Sequence, residues 1–378
     1  MPPRPHSRRL VAALTLSAGL AVVTGAMAPS ATAASRSPLD VRVFARVPEP
    51  GQPEPIAIGP HQRRVYVGTN QQGKGEADVP SKVFVYSRQG GLLRDIELRR
   101  QDLSDDHGIQ GLAFDARRRL YALDRSATPR VVRINLRTGR QHDYASFRDV
   151  PPCTEPEQRG CSATVTDAEP TPDYPAFDRR GRLYVTDLEQ ALIWRVPKNG
   201  GKPRVWLTDP RLENIFGPNG IQFVSPRTIL FACTATSPST GDPTSGALFK
   251  VRVRRDGTAG PLRLFWRSKP FDGPDGFAVA RSGRVYVALA GANQMLVLSR
   301  TGEELTRVPA TPVDNAMMEV PFDGPASAAF LGRRLLVTNQ TSPLAGSGNP
   351  EHWAVFDVFA GERGCRCTGP SPQSSNSA

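Results

Sequence analysis

The sequence predicts an all-β protein, a six-bladed β-propeller whose blades are four-stranded antiparallel sheets. Three observations lead to this prediction. A short phrase recurs six times, an apolar segment follows each copy at a nearly fixed distance, and turn residues separate the apolar segments at short intervals. Units of about 50 residues with several strands each are typical of propeller blades. No long apolar pattern with helical spacing interrupts them.

The repeated phrase begins with two residues, often including proline, and continues with small and apolar residues. Its six copies cover residues 53–58, 109–114, 172–177, 218–223, 274–279 and 325–330. The second positions are occupied by Glu54, Gln110, Asp173, Asn219, Asp275 and Ala326. These positions recur every 46 to 63 residues, and each precedes the middle of the next apolar segment by 10 to 12 residues. So constant a register indicates a structural repeat.

Further strands complete each unit. Residues 64–67 and 83–86 are the second and third apolar segments of the first unit, and turns such as residues 198–201 separate strands in later units. Residues 41–47, ahead of the first unit, alternate between apolar and mostly polar side chains. We expect this N-terminal strand to close the ring as the outermost strand of the sixth blade, because a ring of sheets leaves exposed edges unless its last blade is completed.

The termini differ in composition from the repeats. Arg4, Arg8 and Arg9 precede an uncharged stretch, and small residues follow it at positions 31–33. Residues 1–34 are therefore predicted to be a secretory signal peptide, with an uncleaved membrane anchor as the alternative. Residues 35–365 form the predicted propeller, and the polar residues 366–378 a disordered tail. The predicted protein is secreted, with no stable membrane insertion after cleavage.

Cysteine and charge usage fit an exported protein. Cys153 and Cys161 bracket a short polar loop and are predicted to form a disulfide. Three cysteines then remain, so at least one thiol is predicted to have no disulfide partner within the chain. The formal net charge is +12, but the arginines are dispersed along the chain rather than clustered among aromatic residues. This pattern favours a solvated surface over a nucleic-acid site. We expect a monomer without a nucleic-acid partner.

The second positions of the phrase are the candidate site. In a propeller, equivalent positions of successive blades lie around one axis, so Glu54, Gln110, Asp173, Asn219 and Asp275 should converge at one mouth of the channel. Carboxylate and amide oxygens suit Ca²⁺ or Mg²⁺, with Zn²⁺ as a further candidate. The alternative is that these side chains are ordinary turn formers. That alternative accounts for Pro-Asn-Gly and Pro-Asp-Gly, but not for the Glu and Gln in the same register.

The residues also resemble a known family. Gly217-Pro218-Asn219-Gly220, followed one unit later by Gly273-Pro274-Asp275-Gly276, with an early Glu54 and an intervening Asp173, is similar to the senescence-marker-protein/gluconolactonase family of regucalcin-like six-bladed propellers. The resemblance extends over roughly residues 40 to 360. It implies that Glu54, Asn219 and Asp275 hold one divalent cation, with Ca²⁺ preferred. It places Asp173 where the family has a substrate-contacting asparagine.

The resemblance implies a secreted, metal-dependent hydrolase that opens a sugar lactone or a related ester. In that mechanism Asp275 is the general base, and Asp173 and Gln110 orient substrate hydroxyl groups. His107, in a His-Gly-Ile phrase similar to one in paraoxonase-like lactonases, is a second candidate base. Two alternatives stay open at this point: a non-catalytic extracellular propeller that binds a ligand or calcium, and a strictosidine-synthase-like propeller enzyme. Fold alone does not separate them.

Overall fold

The computed structural model describes residues 36–71, 79–104, 106–155, 158, 160–162, 168–239, 241–342 and 346–365. The predicted signal peptide (1–34) and the predicted tail (366–378) lie outside these residues. Within them, 24 β-strands account for almost all regular structure, and the one α-helix is Pro312–Ala316. Three short 3-10 turns are found at Pro60–Gln62, Pro210–Leu212 and Pro350–His352. The all-β prediction is confirmed.

The strands form antiparallel groups of four in chain order. The chain enters through β1 (Val41–Arg46). The first group consists of β2 (Pro53–Ile58), β3 (Arg64–Gln71), β4 (Lys82–Ser87) and β5 (Leu92–Glu97). The second consists of β6 (His107–Phe114), β7 (Leu120–Arg125), β8 (Arg130–Ile134) and β9 (Gln141–Ser146). The third consists of β10 (Pro172–Phe177), β11 (Leu183–Asp187), β12 (Leu192–Val196) and β13 (Arg204–Thr208).

The later groups follow the same plan. The fourth consists of β14 (Pro218–Ser225), β15 (Thr228–Cys233), β16 (Ser245–Arg252) and β17 (Arg263–Pro270). The fifth consists of β18 (Pro274–Val279), β19 (Val285–Leu289), β20 (Gln294–Leu298) and β21 (Glu304–Val308). The last consists of β22 (Pro325–Leu331), β23 (Arg334–Asn339) and β24 (Ala354–Val358), together with β1, which pairs with β24.

Neighbouring groups meet through their first strands, which we call the inner strands (β2, β6, β10, β14, β18 and β22). Each inner strand contacts the next in chain order, and β22 contacts both β18 and β2. The first two groups are also joined by two residue pairs between β3 and β6, Asn70 opposite Gly108 and Gln71 opposite His107. The inner strands are therefore packed side by side, and features that they share are brought together.

The core lies between adjacent sheets. Tyr184 and Ile193 of the third group pack in one apolar cluster with Ile229 and Phe231 of the fourth, and each of these side chains is fully buried. Because these middle strands pack on both faces, β11 is buried at every position and β12 at four of its five positions. Burying one aromatic or aliphatic side chain of this size stabilises a fold by about 1.5–3 kcal/mol.

The cysteines are arranged in two ways. Cys153 and Cys161 form the predicted disulfide, with their Cα atoms 5.1 Å apart. Cys233 is a buried free thiol at the end of β15. Cys365 is also disulfide-bonded. Among the described residues, no helix is long and apolar enough to span a bilayer.

Candidate functional site

Each inner strand is irregular at the start of its phrase. The pairing between an inner strand and its neighbour shifts register there, as in a β-bulge, and the six shifts fall between Pro53 and Ile56, Ile109 and Gly111, Pro172 and Pro175, Pro218 and Ile221, Pro274 and Phe277, and Pro325 and Ala328. A proline at the first position suits this geometry, because it has no N–H to give to a ladder. Bulges redirect side chains and are frequent beside active sites. The candidate residues lie in or directly beside these bulges.

Threonine hydroxyls tie the bulges to neighbouring sheets. Thr338 Oγ1 donates to the carbonyl oxygen of Glu54 at 2.7 Å, and thereby links the last group of strands to the first. Thr234 Oγ1 donates to the carbonyl oxygen of Pro274 at 3.0 Å and accepts from Asn219 Nδ2 at 3.0 Å. Hydrogen bonds therefore hold the backbone at Glu54, the backbone next to Asp275 and the amide of Asn219.

The candidate residues meet at one cavity. Its volume is about 580 Å³, and its walls include Glu54, Gln110, Asp173, Asn219 and Asp275. All five residues are buried. They come from five different strand groups and are separated by as much as 221 residues in the chain (275 − 54). The structure thus brings the predicted metal and substrate residues to one place, while their roles stay predictions.

The cavity concentrates negative charge. Burial, and after it the charges of Asp275 and Asp173, raises the pKa of Glu54 well above its usual range. Burial and the charge of Asp275 likewise raise the pKa of Asp173. Burial raises the pKa of Asp275 to about 8, although hydrogen bonding to Tyr174, Gly276 and Asn219 opposes that rise. The three acids therefore resist ionising together unless positive charge lies near them.

One cation acts on this cluster from β7. The guanidinium of Arg125 lowers the pKa values of Glu54 and Asp173, but the effects of burial and of the neighbouring acids are larger. Its nearest ion-pair contact in the described part of the chain is with Asp106, at 4.0 Å. Arg125 therefore offsets the negative charge only in part. The repeat analysis could not find Arg125, because this residue lies outside the repeated phrase.

Several buried oxygens of the residues that line the cavity lack hydrogen-bond partners among the described residues. Asn219 Oδ1, Asp275 Oδ1, Gln110 Oε1 and Asn70 Oδ1 are buried and accept no hydrogen bond from the described residues. Leaving a buried acceptor unsatisfied costs roughly 1–3 kcal/mol. Buried orphan oxygens beside mutually repelling carboxylates are the surroundings that a hard divalent cation requires. The residues present therefore fit the metal that the resemblance implies.

The predicted ligand set is mixed rather than purely acidic. Among the described residues, no three His, Cys, Asp or Glu side chains are grouped closely enough to hold a metal by themselves. The predicted set differs from such a group because the amide oxygen of Asn219 supplies one donor. Asn70, at the end of β3, adds another amide that the sequence did not single out.

His107 lies apart from these residues. It is the first residue of β6 and is buried, and its Nε2 lies 3.0 Å from the carbonyl oxygen of Val79. It is not among the residues that line the cavity. The separation of three positions from Gln110 along the strand does not bring the two side chains into the same cavity. The suggestion that His107 acts as a base stays a prediction.

Other lining residues come from loops that do not repeat. Asn214, Ile215 and Phe216 precede β14, and Phe271 precedes β18. Loops that vary in length and composition from one unit to the next carry no periodic signal, so a repeat analysis does not find them. Their proximity follows only from the folded arrangement.

Comparison with solved structures shows where this fold occurs elsewhere. The calcium-binding protein regucalcin from Agrobacterium tumefaciens superimposes with a TM-score of 0.58 at 18% identity, covering 88% of this chain and 97% of that one. A gluconolactonase from Xanthomonas campestris gives 0.51 at 17% identity, covering 85% and 96%. Virginiamycin B lyase from Staphylococcus aureus gives 0.51 at 12% identity, covering 85% and 99%. At these identities the likeness shows a propeller-like fold and no particular chemistry.

Comparison of the sequence with curated proteins and with family models gives one match. No curated protein matches the chain. Residues 211–338 match the model of the SMP-30/Gluconolactonase/LRE-like region. This segment contains Asn219 and Asp275, whereas Glu54, Gln110 and Asp173 precede it. The resemblance inferred from the sequence is therefore confirmed, and residues 211–338 identify this propeller-like chain as similar to the SMP-30/gluconolactonase family.

Proposed function

We propose that this protein is a divalent-metal-dependent lactonase of the gluconolactonase type. The observation that carries the proposal is that Glu54, Asn219 and Asp275 line one cavity, where oxygens of Asn219 and Asp275 have no hydrogen-bond partner among the described residues. Carboxylates that repel one another are stabilised by a bound cation. The match of residues 211–338 to the SMP-30/Gluconolactonase/LRE-like region supports the same conclusion.

The architecture proposed for this site is a closed six-bladed ring. The inner strands contact one another in a cycle, and β1 pairs with β24 as the outermost strand of the last group. Both observations support blades arranged around one axis, with the N-terminal strand completing the sixth. Such a ring explains why residues from five blades line a single cavity.

Glu54, Asn219 and Asp275 hold one divalent cation in this proposal, with Ca²⁺ preferred over Mg²⁺ or Zn²⁺ because all the donors are hard oxygens. When bound, the cation supplies Lewis-acid chemistry, polarising the lactone carbonyl and stabilising the negative charge that develops on its oxygen. The hydroxyl of Thr234 keeps the Asn219 amide in place. The hydroxyl of Thr338 does the same for the backbone of Glu54.

Asp275 is the general base in this proposal. Its Oδ1 accepts no hydrogen bond from the described residues and takes a proton from the attacking water. The water oxygen bonds to the carbonyl carbon, the ring C–O bond breaks, and the proton passes to the ring oxygen, which gives a hydroxy acid. Gln110 and Asp173 line the same cavity and orient the substrate through its polar groups. His107 is a second candidate base, which replacement of His107 would test.

The cellular setting is part of the proposal. A disulfide between Cys153 and Cys161 is typical of an oxidising compartment, which agrees with export directed by residues 1–34. We propose a secreted monomer that acts on small-molecule lactones or esters.

A panel of lactones and aryl esters tests the function. The purified protein is assayed before and after removal of divalent ions with a chelator, and again after Ca²⁺, Mg²⁺ or Zn²⁺ is restored. We expect lactone hydrolysis that chelation abolishes and one of these ions restores. Hydrolysis that continues unchanged in the chelator contradicts the metal-dependent mechanism. Calcium binding without turnover of any substrate favours the non-catalytic binding propeller instead.

A further inference from the structure

The outer part of the cavity differs in chemistry from its floor. Ile215, Phe216 and Phe271 line the cavity with 55%, 41% and 73% of their surfaces exposed, whereas the acids of the floor are buried. Large apolar side chains seldom gather at the surface of a monomeric protein without a ligand or partner. These three residues, which we call the apolar rim, therefore require an explanation.

The rim residues before β14 are held in place. The carbonyl oxygen of Phe216 accepts from the N–H of Ala235 at 2.7 Å, and its own N–H donates to Asn214 Oδ1 at 3.2 Å. The Asn214 amide in turn donates to the carbonyl oxygen of Thr236 at 3.1 Å. Because both backbone groups of Phe216 are bonded, the backbone that carries its side chain at the surface is fixed.

The turn that carries Phe271 is fixed as well. Its N–H donates to the carbonyl oxygen of Thr244 at 2.8 Å. The next residue, Asp272, receives two hydrogen bonds from the guanidinium of Arg307, at 2.7 and 2.8 Å. Phe271 has a φ of +61°, in the left-handed region that a bulky side chain rarely adopts. The backbone of Phe271 is therefore held in an unfavourable conformation by the hydrogen bonds of its turn.

The apolar rim is close in the chain to two of the proposed reacting groups. Phe216 precedes Asn219 by three residues, and Phe271 precedes Asp275 by four (219 − 216 and 275 − 271). Both rim residues and both site residues line the same cavity. A ligand whose carbonyl reaches the buried acids therefore shares the cavity with the apolar rim.

We propose that the substrate is a lactone or ester that carries an apolar alkyl or aryl substituent, which packs against Ile215, Phe216 and Phe271. This inference rests on the proposed lactonase function and narrows its substrate class. Hydroxyl groups that pack against three apolar side chains lose their hydrogen bonds to water and gain none in return. An alkyl or aryl group instead gains the hydrophobic contribution of about 25 cal/mol for each Å² that it buries.

Four six-membered lactones test the proposal: the unsubstituted ring, a pentyl-substituted ring, a ring fused to an aryl group, and a polyhydroxylated sugar lactone. We expect kcat/KM for the pentyl or the aryl lactone to exceed that for the sugar lactone by about tenfold or more. The difference between the pentyl and aryl arms identifies the preferred substituent. Equal values for all four lactones, or a preference for the sugar lactone, overturn the proposal.

Rim variants locate the effect. Phe271→Asn removes the ring but tolerates the left-handed backbone, and Phe271→Tyr retains the ring. We expect Phe271→Asn to raise KM for the pentyl lactone by about tenfold, much more than for the unsubstituted ring, and Phe271→Tyr to preserve the preference. Met317→Ala is the matched control, since Met317 is 83% exposed and does not line the cavity. Equal losses for the substituted and unsubstituted rings indicate a merely structural role and contradict the proposal.

A binding measurement separates this inference from the proposed function. If no lactone is hydrolysed, the lactonase proposal fails, and calorimetry with the pentyl-substituted lactam then tests the rim directly. Binding that Phe271→Asn weakens and Met317→Ala does not weaken supports an apolar ligand at this site. Absence of binding to the unmodified protein, or equal binding to the three proteins, overturns the inference.

Discussion

Two buried aspartates of one strand group show how differently the two ends of the inner strands are built. Asp173 lies near the start of β10, at the cavity, and Asp178 lies just past its end. Asp178 accepts hydrogen bonds from the N–H groups of Arg180 and Arg182 and from the Arg182 side chain, at 2.6 to 2.9 Å. Asp173 has no ion pair within the described part of the chain, and its nearest charges include the acid Asp275.

The same contrast recurs in the second group of strands. Asp115, in the turn after β6, bonds the N–H and the guanidinium of Arg119 at 2.9 and 2.7 Å. The chain has 48 lysine and arginine residues and supplies such partners where a turn has to be stabilised. At the cavity end the acids raise one another's pKa values, and Arg125 offsets this effect only in part. A cavity that gathers several acids with raised pKa values makes this end the candidate functional site.

The largest expected effect comes from replacing one aspartate at each end and comparing the two variants. We expect Asp275→Ala to lower kcat for lactone hydrolysis by about 10²–10⁴-fold, because it removes the proposed general base and one ligand. Asp178→Asn should instead lower the free energy of unfolding by roughly 1–3 kcal/mol and leave kcat per folded molecule unchanged. Steady-state kinetics and urea unfolding of both variants measure this. Full activity in Asp275→Ala would remove the proposed chemistry from the cavity end.

A cation should stabilise the protein through the cavity end alone. At a Ca²⁺ concentration of one hundred times Kd, we expect the free energy of unfolding to rise by about 2.7 kcal/mol. Glu54→Gln should abolish most of this gain, and Asp178→Asn should keep it. Urea unfolding with Ca²⁺ and with chelator gives the comparison. An equal gain in both variants would show that Ca²⁺ binds elsewhere.

The residues at the two ends of the inner strands differ in how far the sequence alone predicts their place in the fold. Glu54, Asn219 and Asp275 were recognisable because a circular repeat brings equivalent positions together, however far apart they lie in the chain. Asp178 and Arg182 form a local turn pair that needs no tertiary information. Phe271 belongs to neither class. Its place at the rim depends on a non-repeating loop and on the distant anchor Arg307, which only the folded chain reveals.

The pH dependence of stability provides a smaller and more specific test. In the chelated protein, the folded state holds a proton on Asp275 up to about pH 8, whereas the unfolded chain releases it near the ordinary value of 3.8. Between these values the folded state binds more protons, so the free energy of unfolding falls as pH rises. The slope is at most about 1.4 kcal/mol per pH unit for each such carboxyl group.

Asp275→Asn removes this carboxyl group, so we expect a flatter profile between pH 4 and 8 in chelator. Urea unfolding at several pH values is the measurement. Met317→Ala, which removes no ionisable group from an exposed position, is the control, and its slope should equal that of the unmodified protein. Glu54 and Asp173 also have raised pKa values and contribute with the same sign. A profile that rises with pH in this range would mean that the acids of the cavity end are not destabilising.

The smallest effect is expected at the opposite end of the inner strands. Arg88, Arg281 and Arg363 line a second cavity there, of about 550 Å³, and all three are exposed. Because water screens an exposed charge, Arg281→Gln and Arg363→Gln should each change the free energy of unfolding by no more than about 0.5 kcal/mol and leave lactone hydrolysis unchanged. Urea unfolding and the lactone assay check both expectations. A threefold loss of activity would mean that the two ends are coupled through the inner strands. The contrast between a functional end and a purely structural end would then be wrong.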